Sequence, residues 1–293
     1  MTQKNKLPLA LGSLLLTSIG TLSATSLLLN FHTTHVDDPG PVAAPYLDLT
    51  PGHDLGAIPG GKTTWNNFVA TTPGSSLSYG DGSAATGVLV TFGSESTAGS
   101  GIIDYTSPNI NNSALRGTGG GIAGMESLVS NPGSIYGDGN NTTNSAPART
   151  GWLGGAGNTA IGMRIDGLAA GSYDIYVMGR NTNSNASESP MAFFASTGIS
   201  SSVFDFSLES ASSMSNTGVA SPDPTAYNDF VAGDNYTVLS VDIAAGESLF
   251  LASDGTGSET RGFFNLVQLV AVPEPSTAFL ALCSFTALLR RRR

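Results

Sequence analysis

The chain has 293 residues, of which 12 are basic and 22 acidic, and it is rich in glycine (37) and proline (15). Only 12% of the residues are charged, about half the usual share, whereas 40% are hydrophobic, which permits a sizeable core. Residues 25–272 carry six basic and 21 acidic side chains, and so acidic a body argues against a nucleic-acid partner because it repels phosphate. The single cysteine, Cys283, leaves that body without a disulfide or a thiolate metal site.

The first 24 residues have the order of features that is typical of a secretory signal peptide. Lys4 and Lys6 give a positively charged start, an apolar run follows from Leu7 to Leu16, and small residues lead up to Ala24. We therefore expect the general secretion machinery to export the chain and signal peptidase to cut after Ala24, which makes 1–24 a signal peptide.

The body, residues 25–271, is predicted to be an all-β domain with the architecture of an antiparallel β-sandwich. It shows no sustained helical periodicity, and short β-branched or alternating runs lie between clusters of turn-forming residues. The stretch Asn131–Pro147 is interpreted as a long surface loop rather than a domain boundary. The predicted strands lie within Thr86–Phe92, Ile161–Leu168, Ser172–Gly179, Ser201–Leu208, Tyr236–Ile243, Glu247–Ser253 and Phe263–Val270.

Five further segments occur in a characteristic order along the body: Leu27–Phe31, Thr64–Phe68, Asp81–Gly87, Leu168–Tyr176 and Gly262–Leu269. In this order they resemble the jelly-roll, galactose-binding-like ectodomains of bacterial surface proteins. The resemblance implies that the first and last strands pair. It also implies association with carbohydrate or extracellular matrix, and it assures no catalytic residues.

Residues 272–293 form a C-terminal segment with three parts. The first holds Pro273, Glu274 and Pro275, and the second is an apolar stretch from Ala278 to Leu289. A helix over residues 276–289 would span about 21 Å, which is short of the roughly 30 Å hydrocarbon core. Basic residues favour the cytoplasmic side of a membrane, so the body would lie outside. The third part, which fixes this topology, is the basic cluster Arg290, Arg291, Arg292 and Arg293.

This tail resembles the PEP-CTERM sorting signal of Gram-negative bacteria, a family that is also labelled after ice-binding proteins carrying the same tail. The resemblance implies recognition by exosortase, a membrane-embedded cysteine protease-transpeptidase, near Pro273, Glu274 and Pro275. It implies a transient inner-membrane anchor and then a destination at the cell surface or in the exopolysaccharide matrix. The label itself implies nothing about ice binding here.

Three side chains of the body are candidates for ligand binding. Trp65 and Trp152 are the only tryptophans, and each could stack on the face of a sugar or pack in the core. Arg180, together with Asn66 and Asn67, could donate or accept hydrogen bonds with sugar hydroxyls, although turn roles explain the asparagines equally well.

Metal binding and catalysis have weaker signals. Hard oxygen ligands in Asp138–Asn141 and Asp223–Asp229 suit a structural calcium ion, although neither loop has EF-hand spacing. The motif of His32 and His35 fits a solvated arm better than a metal site, because residues three apart on an extended chain face opposite sides. No G-x-S-x-G motif is present, and no pair of the body's acids is singled out for glycoside hydrolysis.

These features together predict an exported, non-enzymatic surface or matrix protein that exosortase sorts and cuts and that binds carbohydrate. Two alternatives stay open. One is a carbohydrate-active enzyme that uses carboxylates, and the other is a calcium-dependent adhesin. No cofactor is expected apart from a structural calcium ion.

Overall fold

The computed structural model describes residues 26–31, 64–68, 76–114, 150–154, 159–179, 190–215, 230–257 and 260–272. This part of the chain is all-β, as the sequence predicts. Its only helical element is a single 3-10 turn, Phe206–Leu208. The strands are β1 (Ser26–Phe31), β2 (Asn66–Phe68), β3 (Leu89–Glu95), β4 (Ile102–Asp104), β5 (Ile110–Ala114), β6 (Thr150–Gly154), β7 (Ile161–Asp166), β8 (Gly171–Met178), β9 (Met191–Gly198), β10 (Val203–Asp205), β11 (Ser212–Met214), β12 (Thr237–Ile243), β13 (Ser248–Gly255), β14 (Phe263–Phe264) and β15 (Leu266–Ala271).

One sheet has five strands in the order β12-β8-β15-β1-β2. Its neighbours are antiparallel except for β1 and β2, which run parallel. The register of β1 and β15 places Ser26 opposite Val270 and Asn30 opposite Leu266. The first described strand therefore pairs with the last described strand, which is the pairing that the jelly-roll resemblance implies.

The second sheet has seven antiparallel strands in the order β10-β4-β3-β7-β13-β9-β11, and it is strongly curled. Phe204 on β10 and Phe250 on β13 have ring centroids 5.5 Å apart. Four strand spacings separate these two strands, which would be about 19 Å in a flat sheet. The contact is therefore made across the concave side of a half-barrel. A small third sheet has the order β14-β6-β5.

Two apolar clusters hold the sheets. The main core lies between the two large sheets and includes Phe31 on β1, Ile175 on β8 and Met163 on β7. Along these strands the core positions alternate with residues on the other face, as the pleat requires. The second cluster fills the concavity of the curled sheet and consists of Ile103, Tyr105, Ala160, Phe204, Phe206, Phe250 and Ala252.

The edges of the two large sheets are also joined on one side. The Thr197 hydroxyl on β9 donates to the Asp242 carbonyl on β12 at 3.1 Å, and the Ser212 and Thr237 hydroxyls lie 2.6 Å apart. These bonds connect side chains of the curled sheet to the outermost strand of the five-stranded sheet. They hold β12 in place and so fix the outer face that it shares with β8.

Candidate functional site

The sequence-predicted ligand residues are only partly within the described region. Trp65 is half-buried just before β2, and its indole Nε1 is buried without a hydrogen-bond partner among the described residues. The polar edge of this ring therefore points inward, which leaves only part of the ring for a ligand. The backbone of Trp152 lies in β6, opposite Phe264 of β14 and Asn112 of β5. Arg180 lies outside the described residues.

The other predicted sites also fall outside the described residues. They are the sorting motif Pro273, Glu274 and Pro275, the arginine cluster at 290–293, the histidines of the N-terminal arm and both candidate calcium loops. Where the structure is described, no three His, Cys, Asp or Glu side chains gather into a group suited to a metal ion. The described segments also include no helix with the length and apolar character needed to cross a bilayer.

The asparagines at β2 have structural partners. Asn66 donates through Nδ2 to the carbonyls of Leu28 (3.0 Å) and Ser78 (2.9 Å), and its Oδ1 accepts from the Ser78 amide at 2.8 Å. Asn67 Oδ1 accepts from Asn30 Nδ2 at 2.8 Å. Asn66 thus joins β1, β2 and the 76–85 segment, so its amide group is engaged with the fold rather than presented to a sugar.

The five-stranded sheet brings the two ends of the body together. Ser26, the first residue of β1, lies opposite Val270, near the end of β15. The last described backbone bond of this strand runs from the Val272 amide to the Ser172 carbonyl, at 2.8 Å. The Gly80 amide donates to the Ser26 carbonyl at 2.8 Å. The start of β1 and the end of β15 are therefore both hydrogen-bonded to the fold, and they lie side by side at one end of the sheet.

The outer face of β8 and β12 carries aromatic and hydroxyl-bearing side chains that no sequence pattern singled out. Tyr173 packs in the main core, so Tyr176, an odd number of residues away, lies on the opposite, outer face. Its ring centroid is 6.2 Å from that of Tyr236, which in turn contacts Phe230 edge-on at 6.3 Å. Both tyrosines remain partly exposed. The strand predicted within Ser172–Gly179 already places Tyr173 and Tyr176 on opposite faces, but the sequence has no signal for Tyr236.

Two carboxylates lie on the concave face of the curled sheet. Glu95 is 2% exposed, and its carboxylate accepts from the amides of Gly101 at 2.7 Å and Ala160 at 2.9 Å. Asp254, on β13, is partly buried, and burial, with a smaller contribution from the Glu95 charge, raises its pKa to about 6. Because backbone donors occupy both oxygens of Glu95, this pair is organised for structure rather than for acid–base work on a substrate.

Neither the protein-family models nor the curated proteins match this chain.

Proposed function

We propose that this chain is an exported, non-enzymatic protein of the cell surface or exopolysaccharide matrix, with a jelly-roll-like β-sandwich body that exosortase sorts and cuts. The observation that carries the proposal is where the strands begin and end. The five-stranded sheet begins at Ser26, two residues after the predicted signal-peptidase site, and ends at Ala271, two residues before Pro273. The first and last described strands thus begin and end just inside the two predicted processing segments.

The register of the sheet adds a geometric argument. Ser26 and Val270 are direct cross-strand partners, and such partners have Cα atoms about 4.5–5.5 Å apart. The signal peptide and the tail would therefore leave the body from adjacent strands at the same end. Both apolar segments can then reach one membrane without any rearrangement of the body, which suits a transient anchor in the inner membrane.

The chemistry of the tail agrees with cleavage close to the body. The Val272 amide is bonded to the Ser172 carbonyl, whereas Pro273 has no N–H and cannot extend the ladder. A proline also restricts the residue before it to extended conformations. The Pro-Glu-Pro motif is thus suited to leave the sheet as an extended strand that a membrane protease can bind.

The experiment compares tail variants in a Gram-negative host that has an exosortase. Changing Pro273, Glu274 and Pro275 to Ala should leave the protein exported but uncut, retained in the inner membrane by residues 276–289. Changing Arg290–Arg293 to Ser should give an uncut periplasmic form, because one Arg at mid-membrane costs about 2.5–3.5 kcal/mol and the wild-type cluster resists translocation.

The matched control changes the adjacent polar residues Ser276 and Thr277 to Ala and should be sorted and trimmed as the wild type. Mass spectrometry of cell fractions measures the compartment and the C-terminal end of the wild type, the two tail variants and the control. A triple-Ala variant that still reaches the surface trimmed near residue 273 would show that the motif is not the sorting determinant.

A further inference from the structure

The outer face of β8 and β12 is divided into an aromatic half and a polar half. Tyr176, Tyr236 and Phe230 form the aromatic half. Two rows of cross-strand partners, Asp174 with Ser240 and Ser172 with Asp242, form the polar half. We call these seven residues the tyrosine face.

The polar half already engages hydroxyl groups. The Ser240 hydroxyl donates to Asp174 at 2.6 Å, and the Ser172 hydroxyl donates to Asp242. Each carboxylate has about four lone-pair sites, so Asp174 can accept a further donor while it keeps Ser240. Asp174 and Tyr176 are two residues apart on the same face, which is about 6.6 Å along the strand. A ring-sized ligand lying on Tyr176 would therefore reach Asp174 with its edge.

The charge of this face selects among ligand classes. Neither β8 nor β12 contains a lysine or arginine, whereas Asp174 and Asp242 are both on the outer face. Uronic acids, sulfated glycans and phosphates would meet repulsion from these carboxylates, and neither strand offers a compensating cation. Tyr176 adds no negative charge to this face, because burial and the neighbouring Asp174 raise the pKa of its phenol above the usual value.

We infer that the tyrosine face is a binding site for neutral polysaccharide chains, with a pyranose ring stacked on Tyr176 and Tyr236 and its hydroxyls donating to Asp174. Sugar rings have an apolar face of C–H groups and a polar edge of hydroxyls. The aromatic half of the tyrosine face suits the C–H groups, and the polar half suits the hydroxyls. The gap between Tyr176, Phe230, Tyr236 and Gln268 has room for about one water molecule. The sugar therefore lies across the rings rather than inserting between them.

This inference deepens the proposed function, on which it rests for its setting at an exopolysaccharide, and its test does not depend on sorting. The full-length chain, purified in a detergent without a sugar headgroup, is titrated by calorimetry with cellohexaose, laminarihexaose, xylohexaose and mannohexaose. Hexagalacturonate serves as the anionic probe. We expect at least one neutral hexasaccharide to bind with a Kd below 10 mM and hexagalacturonate to bind at least tenfold more weakly.

Three variants test the assignment to this face. Tyr176→Ala should weaken binding of the neutral probe at least tenfold, whereas Tyr176→Phe, which keeps the ring, should stay within about threefold of the wild type. Asp174→Asn should weaken it several-fold, because an amide oxygen is a poorer acceptor than a carboxylate. The control Leu208→Ala changes a side chain that is 80% exposed elsewhere on the molecule and should leave binding unchanged.

Three results would overturn the assignment. In the first, no neutral hexasaccharide binds, and in the second, hexagalacturonate binds more tightly than the neutral probes. In the third, a Tyr176→Ala variant whose far-UV circular dichroism matches the wild type binds the neutral probe as tightly as the wild type does. Self-association that Tyr176→Ala abolishes, with no sugar binding, would assign the face to a second copy of the chain instead. If no sugar binds but the wild-type chain is sorted correctly, the proposed function stands and only the sugar site is wrong. If sugar binds but the chain is not sorted, the sugar site stands and the proposed function is wrong.

Discussion

At the scale of single residues, Glu95 shows how backbone amides hold a buried carboxylate inside the described part of the fold. Amides of Gly101 and Ala160 donate to its two oxygens, and the Gly99 amide donates more weakly at 3.3 Å. Hydrogen bonds to a charged group are worth about 1.5–3 kcal/mol each, which offsets the cost of removing a carboxylate from water. Glu95 thereby joins the 99–101 turn to the strand that begins at Ile161.

Asp254 lies near this charge and is affected by it. Burial and the Glu95 charge raise its pKa from 3.8 to about 6, so the folded state favours the protonated form. The stabilising contribution of Asp254 is therefore complete below about pH 3.8 and is lost as the pH rises through about 6. If Asp254 were fully buried, its ionisation would lower the free energy of unfolding by about 3 kcal/mol. Because the group is part-exposed, solvent screening reduces this loss to about 1–2 kcal/mol.

We expect Asp254→Asn, which mimics the protonated form, to be about 1–2 kcal/mol more stable than the wild type at pH 7.5 and nearly equal to it at pH 3.5. Urea unfolding of both proteins at pH 7.5 and at pH 3.5 measures the difference in their free energies of unfolding. The control Leu208→Ala changes an exposed side chain that carries no titratable group, and the stability difference from the wild type should be the same at both pH values. An Asp254→Asn variant that loses stability at pH 7.5 would contradict the argument.

At the scale of elements, the curl of the seven-stranded sheet depends on glycines in its concave face. A Cβ at Gly162 on β7 would lie 2.7 Å from the Leu251 carbonyl oxygen and 3.0 Å from Ile103. Ile103 is in the second cluster, which fills the concavity. Only a residue without a side chain leaves space for β4 to bring Ile103 over β7.

Gly162→Ala should therefore destabilise the protein by about 1–3 kcal/mol, the range for overpacked sites. Gly198→Ala is the matched control, because Gly198 lies in a strand of the same sheet and a Cβ there would meet nothing within 4 Å. That change should be neutral or stabilising by up to about 1 kcal/mol. Thermal unfolding of both variants checks the contrast, and equal losses would mean that close packing at Gly162 is not the cause.

The strands that the sequence predicted are those with local alternation. Residues 161–166 alternate buried Ile and Met with partly exposed Arg164 and Asp166, and this run forms β7 as expected. By contrast, β9 was missed, because Met191–Gly198 has three buried residues followed by five half-buried ones and no period of two. Thr86 to Val88 was predicted as strand, but Gly87 has a φ of +83° and forms a turn before β3.

The candidate sites were less accessible to sequence reasoning for a related reason. Sequence alone placed Tyr176 on a strand, yet Tyr236 precedes β12 and meets Tyr176 only because β8 and β12 are neighbours. Glu95 and Asp254 are 159 positions apart and interact only across the curled sheet. Contacts of this kind depend on strand order, which no local pattern encodes. The tail motifs, by contrast, are contiguous and were visible at once.

At the scale of the whole molecule, the pairing of β1 with β15 makes the fold depend on both ends of the body. Their most distant register pair, Ser26 and Val270, is 244 positions apart in the sequence. Such non-local pairing is slow to form because loop closure precedes any gain. β1 has all six residues buried and lies between β15 and β2. The sheet is thus completed only after the chain up to Ala271 has crossed the inner membrane in the proposed export.

This dependence gives the last prediction. Deleting residues 26–31 removes three leucines and Phe31 from buried positions, each worth about 1.5–3 kcal/mol, so the sum is comparable to the entire 5–15 kcal/mol stability of a domain. We expect that deletion to abolish cooperative unfolding. Deleting residues 273–293 should leave the midpoint of urea unfolding unchanged, because β15 ends at Ala271. Circular dichroism during urea titration compares the two with the full chain. A cooperative transition in the chain without 26–31 would mean that the remaining strands form a stable body without β1.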